Sequence, residues 1–127
     1  MIARDIMTRK VYTVFPEATV QEVAQLLSRE RISGVPVIDR SGKVIGVVTE
    51  TDIIRNVSRE GLRVADIMSP EIITVDEETG MSDVALLFSK HKISRVPVMR
   101  NNELVGIVCR SDIVRAIAQG YLVIRQW

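Results

Sequence analysis

Apolar positions recur along this chain with two periods. In "EATVQEVAQLLSRERI" the residues Val20, Val23, Ala24 and Leu27 follow i, i+3, i+4, i+7, the stripe of an amphipathic helix. Thr19 with Glu22 three residues on is a capping box that sets its start. The short β-branched runs "KVYTV" and "EIITV" predict strands, as do the apolar runs "VIGVV" and "LVGIV". "VPVI" and "VPVM" predict strands whose proline belongs near an edge or a strand start. "DRSGK" and "RNNE" carry turn chemistry. "TDIIRNVSRE" and "SDIVRAIAQ" predict short helices, with Gly61 and Gly120 just past them where a left-handed C-cap is wanted.

These elements are written twice. "DIMTRKVYTVFPE" from Asp5 lies over "DIMSPEIITVDEE" from Asp66, and "VAQLLSRERISGVPVI" from Val23 over "VALLFSKHKISRVPVM" from Val84, both at an offset of 61. One residue is lost in the turn, so Gly46 matches Gly106 at an offset of 60. In copy two, Gly80 and Asp83 take the places of the capping pair, a weaker cap at the same position. Each unit reads strand, helix, strand, turn, strand, helix. Such a unit is too small to bury its own apolar face. The expectation is one α+β domain over residues 1–127, made of two interleaved halves related by a rough two-fold, with motifs at 5–60 and 66–119.

Composition narrows the function. The 127 residues are 46% hydrophobic but only 4% aromatic, so the core must be Val, Ile, Leu, Met and Ala. Seventeen basic and sixteen acidic residues leave a net charge of +1, which gives no electrostatic case for nucleic acid or a membrane surface. No apolar run approaches the ~20 residues that span a bilayer, and the N-terminus lacks the apolar core of a signal peptide. One cysteine makes no internal disulfide, which suits a reducing cytoplasm. With His91 and Cys109 the only residues of their kinds, a structural zinc site is not expected. No serine or cysteine has an evident base partner, so the chain is not expected to be an enzyme.

Candidate chemistry sits at the strand-to-helix step, Thr49-Glu50-Thr51-Asp52 in copy one and Cys109-Arg110-Ser111-Asp112 in copy two. One reading is capping alone, by Thr49 with Asp52 or by Thr51 and Ser111; Asp5 and Asp66 would likewise cap the "DIM" turns. The other reading is a ligand site. A carboxylate accepts hydrogen bonds and repels phosphate, so Asp at this step suits the adjacent hydroxyls of a ribose. A threonine hydroxyl donates to a phosphate, and the apolar "VPV" segment (Val35 and Pro36, with Pro97 in copy two) and a neighbouring apolar strand could sandwich a flat base.

The doubled series "ISGVPVIDRSGKVIGVVTETDIIR" and "ISRVPVMRNNELVGIVCRSDIVR", each with its "DIM" lead-in, resembles the two motifs of a CBS domain pair, the cystathionine β-synthase domain family, over nearly the whole chain. The resemblance implies two similar halves that bind adenosyl ligands (AMP, ADP, ATP, S-adenosylmethionine or a relative) in two clefts, with no tightly bound cofactor required. It implies a homodimer and a regulatory role toward an effector protein that the sequence does not name. In the family the Thr/Ser-x-x-Asp step gives Asp to the ribose and Thr to the phosphate. That maps onto Thr49 and Asp52, with Thr51 between them, and onto Asp112 but not onto Cys109. A basic residue before the hydrophobic-Pro pair reaches phosphate in the family; Arg95 holds that place in copy two and Gly34 in copy one. Arg95 would serve the phosphate of a ligand on Asp52, and Ser111 could face the same phosphate. Met7 and Thr8 stand where the family places ligand neighbours. The alternative is a ligand-free dimerisation or interaction module. The tail "YLVIRQW" is expected to fold back or to enter a dimer interface.

Overall fold

A computed structural model describes residues 1–120; the expectation for the tail falls outside the described residues. The chain divides into two compact units, residues 12–72 and residues 1–11 with 73–120. The units are offset from the sequence copies. The "DIM" lead-in of copy one belongs with copy two, and that of copy two belongs with copy one.

In the unit of residues 12–72, helix α2 (Val20–Glu30) starts at the expected cap, with Thr19 Oγ1 accepting from Glu22 N at 3.0 Å. Its end is a left-handed Arg31, φ 56°, rather than a glycine. Strands β1 (Gly34–Ile38) and β2 (Val44–Thr49) form an antiparallel pair, with a register shift between Val37 and Ile38. Their turn is held by Asp39, whose Oδ1 accepts from Ser41 N, Ser41 Oγ and Lys43 N, while Gly42 takes φ 87°. Those hydrogen bonds hold the Asp39 carboxyl below its ordinary pKa. β2 runs directly into α3 (Glu50–Arg55). The single-turn α4 (Val64–Ile67) follows.

The other unit repeats this order. The single-turn α1 (Ala3–Ile6) is its lead-in. Then come β3 (Val75–Asp76), α5 (Met81–Lys90), β4 (Arg95–Arg100), β5 (Glu103–Cys109) and α6 (Arg110–Ala118). Its sheet has the order β3-β4-β5, and the same register shift recurs between Val98 and Met99. Valine fills both cores: Val23, Val35, Val37, Val48 and Val64 in one, Val84, Val96, Val98 and Val108 in the other, which also takes Phe88.

Three expectations need correction. The runs "KVYTV" and "EIITV" are not full strands: only Val14 bridges to β1, and only Val75 and Asp76 pair with β4. The cause is the proline in the neighbouring strand. Val14 N donates to Pro36 O and Val14 O accepts from Ile38 N. The next bond back along a parallel ladder needs an N–H that Pro36 lacks. Pro97 is, moreover, in the middle strand of its sheet rather than at an edge; β3 begins pairing only at Val98, so the missing donor is never called on. Finally, α3 stops at Arg55 with Asn56 as its cap, so Gly61 lies beyond it and is no C-cap, although its φ is 75°. Gly120, φ 85°, does follow α6 directly after Gln119.

Gly46 and Gly106 have a packing reason. After each "DIM" turn the extended chain lies across the middle of a strand. Ser69 exchanges two backbone hydrogen bonds with Val47, both 2.9 Å, and Thr8 exchanges two with Ile107, 2.8 and 2.9 Å. A Cβ on Gly46 would stand 2.8 Å from Ser69 O, and one on Gly106 would strike Met7.

Candidate functional site

In the unit of residues 12–72 the site is the junction of β2 and α3. Thr49 is the last strand residue and lies opposite Gly34. A Cβ on Gly34 would meet Val48 O at 2.9 Å, so a side chain here would force the strand to shift, and the glycine leaves Thr49 without a cross-strand side chain. Thr49 N and Thr49 Oγ1 both donate to Asp52 Oδ2, at 2.8 and 3.0 Å, and Thr49 Oγ1 accepts from Asp52 N at 3.4 Å. The cap is therefore Thr49 with Asp52, not Thr51, which is exposed. The hydroxyl proton of Thr49 is committed to Asp52, so donation to a phosphate requires it to turn away. The carboxylate has a division of labour. Oδ2 carries the cap, and among the described residues none donates to Oδ1. Asp52 is half-buried, where Asp112 of the other unit is buried. Val35 and Pro36 are buried, Val35 within the core.

The other unit builds the same step with different contacts. Cys109 lies opposite Arg95. Cys109 N donates to Asp112 Oδ2 at 2.7 Å, but the thiol makes no capping bond. Burial pushes the Cys109 thiol above its ordinary pKa, partly offset by the positive charge of Arg95, so sulfur stays protonated at neutral pH. Asp112 is only 3% exposed, and its Oδ1 accepts from Arg115 Nη1 at 3.0 Å. Arg110 turns away, with Nε donating to Ile93 O at 2.9 Å and the guanidinium 5.5 Å from the Phe88 ring centre. Ser111 is exposed and caps nothing. Pro97 and Met7 are buried, while Thr8 is exposed and held by its backbone pairing to Ile107. Arg95, Pro97, Ser111, Asp112, Met7 and Thr8 thus share one unit, and Thr49, Thr51, Asp52, Val35 and Pro36 the other. Sequence reasoning passed over Arg115. The signal was available: it stands three residues after Asp112, the spacing at which helix side chains meet.

Asp5 and Asp66 do cap, but from inside the turn. Asp5 Oδ2 accepts from Ile2 N at 2.9 Å and Asp66 Oδ2 from Arg63 N at 2.8 Å. A groove of about 450 Å³, lined by Thr19, Ala24, Ile53, Val57 and Leu62 among others, lies beside α2 and α3 and does not contain the Thr49–Asp52 step. Among the described residues no group of three His, Cys, Asp or Glu is placed to hold a metal ion, and no helix is long and apolar enough to cross a membrane.

The fold and the paired steps define a class, and comparison with known proteins gives it a family. The CBS domain family model matches residues 3–59 and 64–119. This chain belongs to the CBS domain family. It is 32% identical to the CBS domain-containing protein YhcV of Bacillus subtilis over 114 residues, 87% of this chain and 81% of that protein. It is 31% identical to protein MJ1232 of Methanocaldococcus jannaschii, covering 90% of this chain but 38% of that protein, and it spans about a quarter of relatives named as enzymes, such as L-aspartate semialdehyde sulfurtransferase of that organism. Among solved structures, the CBS domain pair of protein MJ0100 in complex with 5′-methylthioadenosine and S-adenosyl-L-methionine has TM-score 0.86 and 30% identity, over 94% of this chain and 98% of that one. CBSX2 in complex with AMP, a protein of Arabidopsis thaliana, has TM-score 0.85 and 29% identity, over 95% and 98%.

Proposed function

We propose that this chain is a regulatory module that binds an adenosyl ligand, with an adenine nucleotide such as AMP as the preferred class, and passes the occupied state to a partner protein. The observation that carries the reading is the Asp52 carboxylate. Its Oδ2 is spent on the helix cap, while Oδ1 has no donor among the described residues. A ribose hydroxyl supplies the missing donor. In this reading the Thr49 hydroxyl serves the phosphate and Thr51, Val35 and Pro36 are ligand neighbours in the unit of Asp52, while Arg95 is the phosphate-binding residue and Pro97, Met7, Thr8 and Ser111 the ligand neighbours that the other unit contributes. The AMP complex of a relative with 29% identity supports the ligand class. The S-adenosylmethionine and methylthioadenosine complex of another keeps the sulfur-bearing adenosyl compounds as a second reading. No catalysis is proposed, and the chain is read as a cytoplasmic homodimer.

Thermal denaturation tests it. A ligand that binds only the folded state raises the melting temperature with the logarithm of its concentration once sites are filled. AMP is expected to do so, and an equal concentration of inorganic phosphate is not. A flat response to AMP, ADP, ATP and S-adenosylmethionine alike would favour the ligand-free interaction module instead.

A further inference from the structure

We propose that Arg115 is a built-in competitor for Asp112. It closes the second strand-to-helix step to a ribose, so that the chain takes one adenosyl ligand, at Asp52. The inference rests on the reading of Asp52 as a ribose acceptor.

The two aspartates occupy the same place in the repeat, and both give Oδ2 to the cap: to Thr49 N and Oγ1 in one unit, to Cys109 N in the other. They differ at Oδ1. In Asp112 it accepts from Arg115 Nη1 at 3.0 Å, and the carboxylate is 3% exposed. In Asp52 it has no donor among the described residues, and the residue is half-buried. A ribose and a guanidinium both approach a carboxylate only as donors, so they contend for the same oxygen.

Copy one has an arginine at the matching position, Arg55; both arginines are exposed, but among the described residues Arg55 makes no hydrogen bond or ion pair to Asp52. Helix length goes with the difference. α3 ends at Arg55, and Asn56 Nδ2 turns back to donate to Asp52 O at 2.7 Å. α6 continues to Ala118, which leaves Arg115 inside the helix on the face of Asp112. The same Asp-Ile-x-Arg string thus gives one reachable acceptor and one occupied acceptor.

The test is calorimetric titration with adenosine, which carries the ribose hydroxyls and no phosphate. Wild type is expected to bind one adenosine per chain, and Asp52→Ala to lose it. Arg115→Met keeps the aliphatic stem and removes the donor. It is expected to add a second adenosine site per chain, since one hydrogen bond to a charged group changes affinity by about tenfold or more. Asp52→Ala with Arg115→Met retains one site per chain, and further Asp112→Ala abolishes it, which locates the gain. Far-UV circular dichroism checks that each variant is folded, and Arg115→Leu serves if the methionine variant is not. Two adenosines per wild-type chain, or no gain in a folded Arg115 variant, overturns the inference. Failure of the Asp52 reading has a different signature: Asp52→Ala then leaves wild-type binding unchanged, while a gain on removing Arg115 still supports the closed Asp112 step.

Discussion

At the scale of single residues, the repeat is informative where its copies differ. Thr49 gives its helix a hydroxyl that both accepts from and donates to Asp52. Cys109 has the same backbone bond to its aspartate but no side-chain cap. A thiol is a weak partner, and its raised pKa removes the thiolate that would accept better. Cys109→Thr is therefore expected to stabilise the folded protein by about 0.5–1 kcal/mol, within the range of a gained N-cap. Urea denaturation of both proteins measures it. An unchanged or lower midpoint would mean that the existing backbone bond already satisfies this helix end.

At the scale of elements, α1 and β4 are tied by charge. Glu77, just after β3, is buried; its Oε1 accepts from Arg100 Nε at 3.0 Å and lies 3.5 Å from Arg4 Nη1. The hydrogen bond from Arg100 is the main reason its carboxyl lies below the ordinary glutamate pKa. A carboxyl with a depressed folded pKa stabilises the fold above the unfolded value, and that contribution is lost as pH falls through the folded pKa. Glu77→Gln is thus expected to be destabilised at pH 7, with its deficit shrinking as pH drops below the ordinary glutamate value. Denaturant melts from pH 7 to pH 3 follow it, and a deficit independent of pH would deny the ion pairs any part. Elements with local signals were legible in the sequence: α2 through Thr19 and Glu22, the Asp39 turn through its residues, the repeat through its offset. What depended on the neighbouring strand was not. The strand expected at "KVYTV" fails because Pro36, more than twenty residues away, has no N–H to offer. The offset of structural units from sequence copies was equally hidden, since a "DIM" turn looks the same whichever strand it crosses. At the site, the residue types at Thr49, Asp52 and Asp112 were readable, but the Arg115 bond that separates the two aspartates is a side-chain contact and had to be seen.

At the scale of the whole molecule, the second helix of each copy leaves apolar side chains in water: Ile54 is 70% exposed and Val114, its counterpart, 64%, with Val57 beyond α3 at 83%. Such surface on a small chain suits a partner, and a second copy through these helices is the proposed one. Light scattering is expected to report twice the 14.2 kDa chain mass, and Ile54→Glu with Val114→Glu to halve it. A monomer over a wide concentration range would contradict that assembly. The central claim is that Asp52 recognises a ribose. Asp52→Ala removes both carboxylate oxygens, so it also removes the Oδ2 cap, and the ligand-free protein should lose about 1 kcal/mol of stability. That loss does not separate the readings; the ligand does. Isothermal titration of wild type and Asp52→Ala with AMP and with its 2′,3′-dideoxy analogue is the direct measurement. Affinity for AMP is expected to fall by roughly ten- to a hundredfold in the variant, as for hydrogen bonds to a charged group, while affinity for the dideoxy analogue stays the same. Equal loss for both ligands, or no loss for either, would leave Asp52 a helix cap and nothing more.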